Sequence, residues 1–501
     1  MNLASSLQQW AARAPSKPAI LFEGRTITYG QLEADASRLA HAMRAHGIGA
    51  GDRVALYLPN IPEYATTYYA AQKIGAIPVS INAIFRAGEV EYLLNDSGAV
   101  LVFTVAELVP FVPRASCPTL KHVVVCEGEA SGGAPTLAPW CAGQPERFDP
   151  VERAADDPAA LLYSSGTTGF PKGVTLSQSN IATNVASAAK YSGYRDDDRL
   201  CVFLPLFHVY GQNYILNAAI LAGSTVCLFR RFVPDVVLDA IQRDHHTLFF
   251  GVPTIFIGLL SMDLSKWDLS SIRYEMSAAA TMPEEISRRW TERFGRRVYE
   301  GYGLTECSPF ACYNDLVEHR FGSVGRAVEG FTLKIFDEND REVPHGEWGE
   351  ICIRGPGVML GYWNRPEDTA QTLRGGWLHS GDIGRMDADG YVYIVDRVKD
   401  MINVSGFKVW PAELEQYLYK LPQVQEVAVY GIPHPEKGEQ VVAAVVPRAG
   451  QAIAPEDVIA WCRANIAAYK VPVRVDIVQE LPKSATGKIL KRVLRDQAPP
   501  A

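Results

Sequence analysis

The chain has 501 residues, 48% of them hydrophobic and 21% charged, and a net charge of −8. That length exceeds one ordinary core and fits a large domain plus a smaller one. The mild acidity and a mean hydropathy near zero argue against nucleic acid or an anionic membrane as the main partner, though not against local basic sites for anionic ligands.

The N-terminal MNLASSLQQWAARAP lacks the basic and apolar regions of a signal peptide. Its Leu3, Leu7, Trp10 and Ala11 share a helical face instead. Thr28 opens a T-x-x-Q capping box, and Leu32, Ala36, Leu39, Ala40 and Met43 then line one side of a helix ending at Gly47. VALYL reads as a strand, the run through Tyr64, Tyr68 and Ala71 to Gly75 as a helix, IPVSIN as a strand, Val90 to Leu94 as a helix and VLVFTV as a strand. This alternation predicts an α/β fold whose large N-terminal domain has mostly parallel sheets covered by helices. Residues 127–150, rich in Gly, Pro and Ala, read as a surface connection. The most apolar segment, LCVFLPLFHVYGQNYILNAAILAG from Leu200, holds His208, Gln212, Asn213 and Asn217. It therefore reads as a strand end and a buried helix rather than a membrane span.

From about Gly330 the texture changes to short β-rich pieces, TLKIFD, EICIRG and YVYIVD, predicting a small β subdomain. AVYGI, VVAAVV and VRVDIV as strands, with PAELEQYLYK and PEDVIAWCRANI as helices, predict a small α+β C-terminal domain. The expected boundaries are 1–396 for the large domain (β subdomain about 325–396), 397–400 for a hinge and 401–501 for the tail. Nine cysteines, scattered from Cys117 to Cys462 with no C-x-x-C pair, argue against a disulfide framework or structural zinc and for a reducing cytoplasm.

YSSGTTGFPKG, from Tyr163, follows an apolar strand and carries three glycines, hydroxyl side chains and a lysine. Glycines admit backbone N–H groups close to phosphate, and Lys172 adds a positive charge. It is not a Walker loop: Pro171 stands where the second glycine would be, and Gly173 follows Lys172. Together with LPLFHVYGQ, YEGYGLTECSP, GEICIRGPGVMLGYW, WLHSGDIGRMD, VDRVKDMINVSGFKVWPAELE and LPKSATGKILKR, in that order to Arg492, it resembles the adenylate-forming superfamily of acyl-CoA synthetases, adenylation domains and luciferases.

The resemblance implies a two-step ligase. A carboxylate attacks the α-phosphate of ATP to give acyl-adenylate and pyrophosphate, and the thiol of coenzyme A then takes the acyl group and releases AMP. Delivery to the phosphopantetheine of an acyl carrier protein is the alternative. It further implies that Lys488 neutralises charge during adenylation, and that Lys172 steadies the phosphates with Ser164, Ser165, Gly166, Thr168 and Gly169. Thr167 and Glu306 match the positions associated with Mg2+. Asp382 matches the ribose aspartate, Tyr302 would stack on adenine, and Arg397 would bind ribose or phosphate. Ala278, Glu300, Gly301, Gly303 and Thr305 complete the expected nucleotide site. His208 matches a gate beside the acyl carboxylate, and the acyl pocket is expected from Tyr210, Gly211, Tyr214, Ser277, Ala279, Ala280 and Gly301. The resemblance also implies that the small α+β C-terminal domain is mobile: Lys399 matches the hinge, and Ser405, Gly406, Phe407 and Lys408 would border the pantetheine tunnel.

SAAATM replaces the SGAAPL frequent in the family, which bears on pocket shape. The aspartate that pairs with an amino acid's amine is missing, and the expected lining offers no second cation. These features favour a monocarboxylic fatty or aromatic acid over an amino acid or dicarboxylic acid. Monomer and homodimer both remain open.

Overall fold

The computed structural model describes residues 2–164, 171–314, 318–397 and 400–498. Of the expected site residues, Ser165, Gly166, Thr167, Thr168, Gly169 and Lys399 lie outside them. Two large sheets carry the first part of the chain. In one, five parallel strands run in the order Pro158–Ser164, Ile77–Ser80, Arg53–Tyr57, Leu101–Val105, His122–Glu127, with antiparallel Lys172–Ser177 and Gly361–Tyr362 on one side. In the other, parallel strands Val298–Tyr302, Tyr274–Ser277, Leu248–Gly251, Arg199–Val202, Thr225–Leu228 and Pro18–Phe22 follow one another, with antiparallel strands at both edges.

Local chemistry sets these elements as the alternation predicts. The Thr28 hydroxyl accepts from Gln31 N–H and the Gln31 side chain accepts from Thr28 N–H, starting the helix Tyr29–Ala45. The helix Pro62–Ile74 opens with proline and closes on Gly75, and it is buried along almost its whole length, packed against the helix Tyr29–Ala45 and the strands Arg53–Tyr57 and Ile77–Ser80. No helix of the described residues is long and apolar enough to cross a membrane.

The apolar segment from Leu200 forms the end of a strand, then a helix of wider i→i+5 spacing, Tyr210–Asn217, continued by Ala218–Ala222. Its polar residues are buried because they are partnered. Gln212 Oε1 accepts from Tyr64 and Ser80, Asn213 donates to Ser308 O, and Asn217 Oδ1 accepts from Tyr69.

The predicted β subdomain is an antiparallel sheet of Thr332–Phe336, Gly349–Arg354, Leu378–Met386 and Val392–Arg397. The tail is a separate sheet dominated by the hairpin Val424–His434/Gly438–Pro447, with helices Pro411–Leu418 and Pro455–Asn465 against it. A final helix, Lys491–Gln497, and the small hairpin Ile402–Val404/Phe407–Val409 were not predicted. Both are too short to show a periodicity of their own.

Candidate active site

The phosphate-loop motif joins two antiparallel strands, with Ser164 opposite Lys172 in the register. A Walker loop instead feeds a helix N-terminus, whose dipole assists anion binding. Ser164 Oγ and Tyr362 OH both donate to Glu306 Oε1, at 3.0 and 2.9 Å. Lys172 Nζ lies 5.2 Å from the Tyr362 ring centroid and pairs with Asp368 at 2.5 Å. Tyr362 and Asp368 were missed in the sequence because neither stands in a motif with an evident charge role.

Asp382, Tyr302 and Arg397 form a second cluster. Tyr302 OH donates to Asp382 Oδ2 at 2.8 Å and Arg397 Nε meets Asp382 Oδ1 at 3.0 Å. Asp382 foremost, then Tyr302 and Glu306, strengthen the hold of Arg397 on its proton. Between the clusters and the helix Glu284–Phe294, Glu300 is buried with its Oε1 unpartnered among the described residues. Burial pushes its carboxyl up to about 8, the Met282 N–H opposes this, and Glu284 adds to it.

The surroundings of the residues expected at the acyl group are aromatic. Tyr214 stands edge-on to Phe310 and Phe250, with centroids 5.0 and 6.0 Å away, and Tyr210 lies 5.4 Å from Tyr214. Tyr214 shares a hydrogen bond with Ser192, whereas the buried hydroxyls of Tyr210 and Ser277 have no partner among the described residues. Gly211, expected in the acyl pocket, is also constrained by packing. A Cβ there would come within 2.2 Å of Pro205 O, so the residue serves close packing of the helix on its preceding loop. At Gly301 a Cβ would meet Met276 Cε at 2.4 Å and Phe310 at 3.1 Å, which makes Met276 and Phe310 further candidates for the lining. Ala279 adopts φ +70° in the connection after the strand Tyr274–Ser277.

The loop 484–488 near the chain's end packs on the segment that follows the strand Leu248–Gly251. Thr254 Oγ1 donates to Gly487 O at 3.2 Å, and a Cβ on Gly487 would lie 2.8 Å from Val252 Cγ2. Lys488 thereby comes within electrostatic reach of His208. Enclosure of the His208 ring, then the charge of Lys488, pushes the imidazole down to about 3, so it is neutral near pH 7. Its Nδ1 accepts from Tyr210 N–H, which leaves the proton on Nε2.

Ser405 and Gly406, both at positive φ, form the tip of the small C-terminal hairpin. Phe407 is 56% exposed and stacked on Tyr469 at 4.8 Å. The structure does not gather Ser405, Gly406, Phe407 and Lys408 with His208. A groove of about 620 Å³ lies elsewhere, between the helix Pro234–Asp244 and the edge hairpin, and contains none of the expected site residues.

Residues 7–363 match the family model of the AMP-binding enzymes, and residues 413–488 that of the AMP-binding enzyme C-terminal domain. The chain belongs to this family of adenylate-forming acyl-CoA synthetases. It is 36% identical over 498 residues to a feruloyl-CoA synthase of Amycolatopsis sp, covering 98% of each chain. It is also 36% identical to a long-chain-fatty-acid–CoA ligase of Bacillus subtilis (strain 168), covering 99% of this chain and 94% of the relative. The crystal structure of the anthranilate CoA ligase AuaEII in complex with anthranoyl-AMP superimposes with a TM-score of 0.93 at 32% identity, covering 99% and 97% of the two chains. This synthetase is an acid–thiol ligase: it uses ATP to form an acyl-adenylate and transfers the acyl group to coenzyme A.

Proposed function

We propose that the acid activated by this synthetase is an aromatic monocarboxylate bearing a hydrogen-bonding ring substituent. The carrying observation is the pair of buried hydroxyls on Tyr210 and Ser277, unpartnered among the described residues, beside a wall of Tyr214, Phe250 and Phe310. A buried hydroxyl without a partner costs about 1–3 kcal/mol, and a substrate hydroxyl or ether oxygen would remove that cost. An alkyl chain would leave it in place. Relatives bearing both aryl and long-chain names make the contrast a practical one.

In this reading the carboxylate approaches beside neutral His208, which places no charge of its own against the acid. Lys488 supplies the positive charge that lets a carboxylate meet a phosphate. Asp382 accepts from the ribose hydroxyls, Tyr302 stacks on adenine, and Arg397 spans ribose and phosphate. Glu300 stays protonated and offers adenine a neutral hydrogen-bonding edge. Lys172 exchanges Asp368 for nucleotide phosphate. Glu306, an oxygen donor already holding two hydroxyls, suits a hard cation, and with Thr167 it would hold Mg2+, which supplies charge neutralisation at the phosphates. The tail from residue 401 then turns about Lys399 in the 397–400 hinge, withdrawing Lys488 and bringing Ser405–Gly406–Phe407–Lys408 to the pantetheine path. Pyrophosphate release across matched hydroxylated, methoxylated and unsubstituted aromatic acids and alkanoic acids, each with coenzyme A or carrier protein, tests the reading. A preference for alkanoic acids overturns the substrate class, and turnover with carrier protein in place of coenzyme A supports the alternative acceptor.

A further inference from the structure

The strand that carries Asp382 is irregular at that residue. Glu350 pairs with Ile383 and Cys352 with His379, so one residue, Ile351, faces three: Ser380, Gly381 and Asp382. A bulge of this kind bends its strand and re-aims side chains, and it also removes ladder hydrogen bonds. Here side chains replace them. Glu350 Oε1 accepts from Gly381 N–H at 2.9 Å, Ser380 Oγ donates to Ile351 O at 2.6 Å, and the same Oγ accepts from Asp382 N–H at 3.1 Å.

Glu350 is itself fixed on its other oxygen. His379 donates Nδ1–H to Oε2 at 2.9 Å, and Arg374 stands 3.5 Å from Oε2 while pairing with Asp340 at 2.9 Å. Glu350, Cys352 and His379 place three donor atoms within 4.8 Å of one another, a spacing that a metal ion could use. Arg374 already supplies the positive charge such an ion would bring, and the His379 proton is committed to the carboxylate. The cluster is therefore better read as a hydrogen-bonded brace than as a metal centre.

We propose that Glu350 is a positioning residue for nucleotide binding: it substitutes for the missing ladder partner of Gly381 and so holds the bulge that points Asp382 at the ribose. The inference rests on the reading of Asp382 as the ribose acceptor. Glu350 touches no substrate. Its effect passes through the Gly381 N–H, one peptide away from Asp382, and through the His379 ring that flanks the start of the bulge.

The test compares wild type, Glu350→Ala and Glu350→Gln with ATP, 2′-deoxy-ATP and 3′-deoxy-ATP as the nucleotide. Wild type is expected to lose about 10-fold or more in kcat/KM when a ribose hydroxyl is missing, the range for a hydrogen bond to a charged group. Glu350→Ala should raise KM for ATP about 10-fold and shrink the deoxynucleotide penalty to about 2-fold, because non-additivity is the sign of two groups acting together. KM for the acid, and transfer from preformed acyl-adenylate to coenzyme A, should stay within about 2-fold. Glu350→Gln keeps an acceptor for Gly381 N–H and should retain most of the ATP affinity.

If wild type shows no penalty with either deoxynucleotide, the ribose reading of Asp382 falls and takes this inference with it. If wild type shows the penalty and Glu350→Ala keeps it in full, the positioning role alone is overturned. A Glu350→Gln variant as impaired as Glu350→Ala also overturns it. Should Glu350→Ala not fold, Glu350→Asp, whose shorter arm withdraws the acceptor, decides by the same ratio.

Discussion

The two halves of the candidate site differ in how completely their polar groups are paired. On the proposed nucleotide side Asp382, Tyr302 and Arg397, then Glu306, Ser164 and Tyr362, and Lys172 with Asp368, are joined by hydrogen bonds or ion pairs. Among the described residues, the buried hydroxyls of Tyr210 and Ser277, expected at the acyl group, are unpaired, and on the nucleotide side Glu300 alone of the residues named here keeps one oxygen unpaired. A part that meets the same ligand in every turnover can be built preorganised. A part that must discriminate among acids gains selectivity by leaving buried groups for the right substrate to satisfy.

The sharpest break in that comparison comes from the residue that joins the halves. Lys488→Ala should lower acyl-adenylate formation about 10²–10³-fold, the scale for removing one group that stabilises developing charge. Transfer from preformed acyl-adenylate to coenzyme A should change little. Pyrophosphate release and single-turnover thioester formation measure the two, and near-normal pyrophosphate release would remove Lys488 from the chemistry. Next in size, Asp382→Ala should raise KM for ATP about 10–100-fold and leave KM for the acid near its starting value. An equal rise in both would mean that the paired side is a structural support for the whole pocket.

Tyr210→Phe probes the unpaired side. Discrimination between a hydroxylated aromatic acid and its unsubstituted analogue should fall about 5–10-fold, while stability rises by about 1 kcal/mol as an unsatisfied hydroxyl is lost. Unchanged discrimination would leave the orphan hydroxyl unexplained by substrate.

Glu300→Gln gives a pH signature. The folded carboxyl is raised to about 8 from its ordinary 4.5, so the folded state holds a proton that the unfolded state has released between those values. Stability from this group is therefore present at low pH and lost as pH rises from about 4.5 to 8. Glutamine stays neutral, so thermal unfolding at pH 6 and pH 9 should show a smaller decline than wild type. An identical decline in both would show that Glu300 ionises freely.

The sequence made much of this legible where signals repeat or carry strong local chemistry. The Thr28 box, the proline and glycine punctuation of the helix Pro62–Ile74 and the alternating strands locate both large sheets. Ordered motifs brought together Asp382, Tyr302, Arg397 and Glu306, which the structure joins in space. Long-range pairing was not legible. Asp368 holds Lys172, Glu350 braces the bulge at Gly381, and Tyr362 serves Glu306, yet none of these contacts leaves a period or a spacing to read. The packing of Gly211 was hidden for a related reason: a motif shows which residue stands at a position, while what a side chain there would meet, here Pro205 O, depends on the folded backbone.

Gly487 deserves a last consequence. Its backbone lies so close to Val252 that a single added methyl would sit at 2.8 Å, and its φ of +79° already excludes most side chains. The absent side chain fixes how deeply the loop 484–488 packs on Val252, and with it how near Lys488 stands to His208. In the proposed cycle, a side chain at 487 would hold the tail off this seat and keep the charge of Lys488 from the first half-reaction.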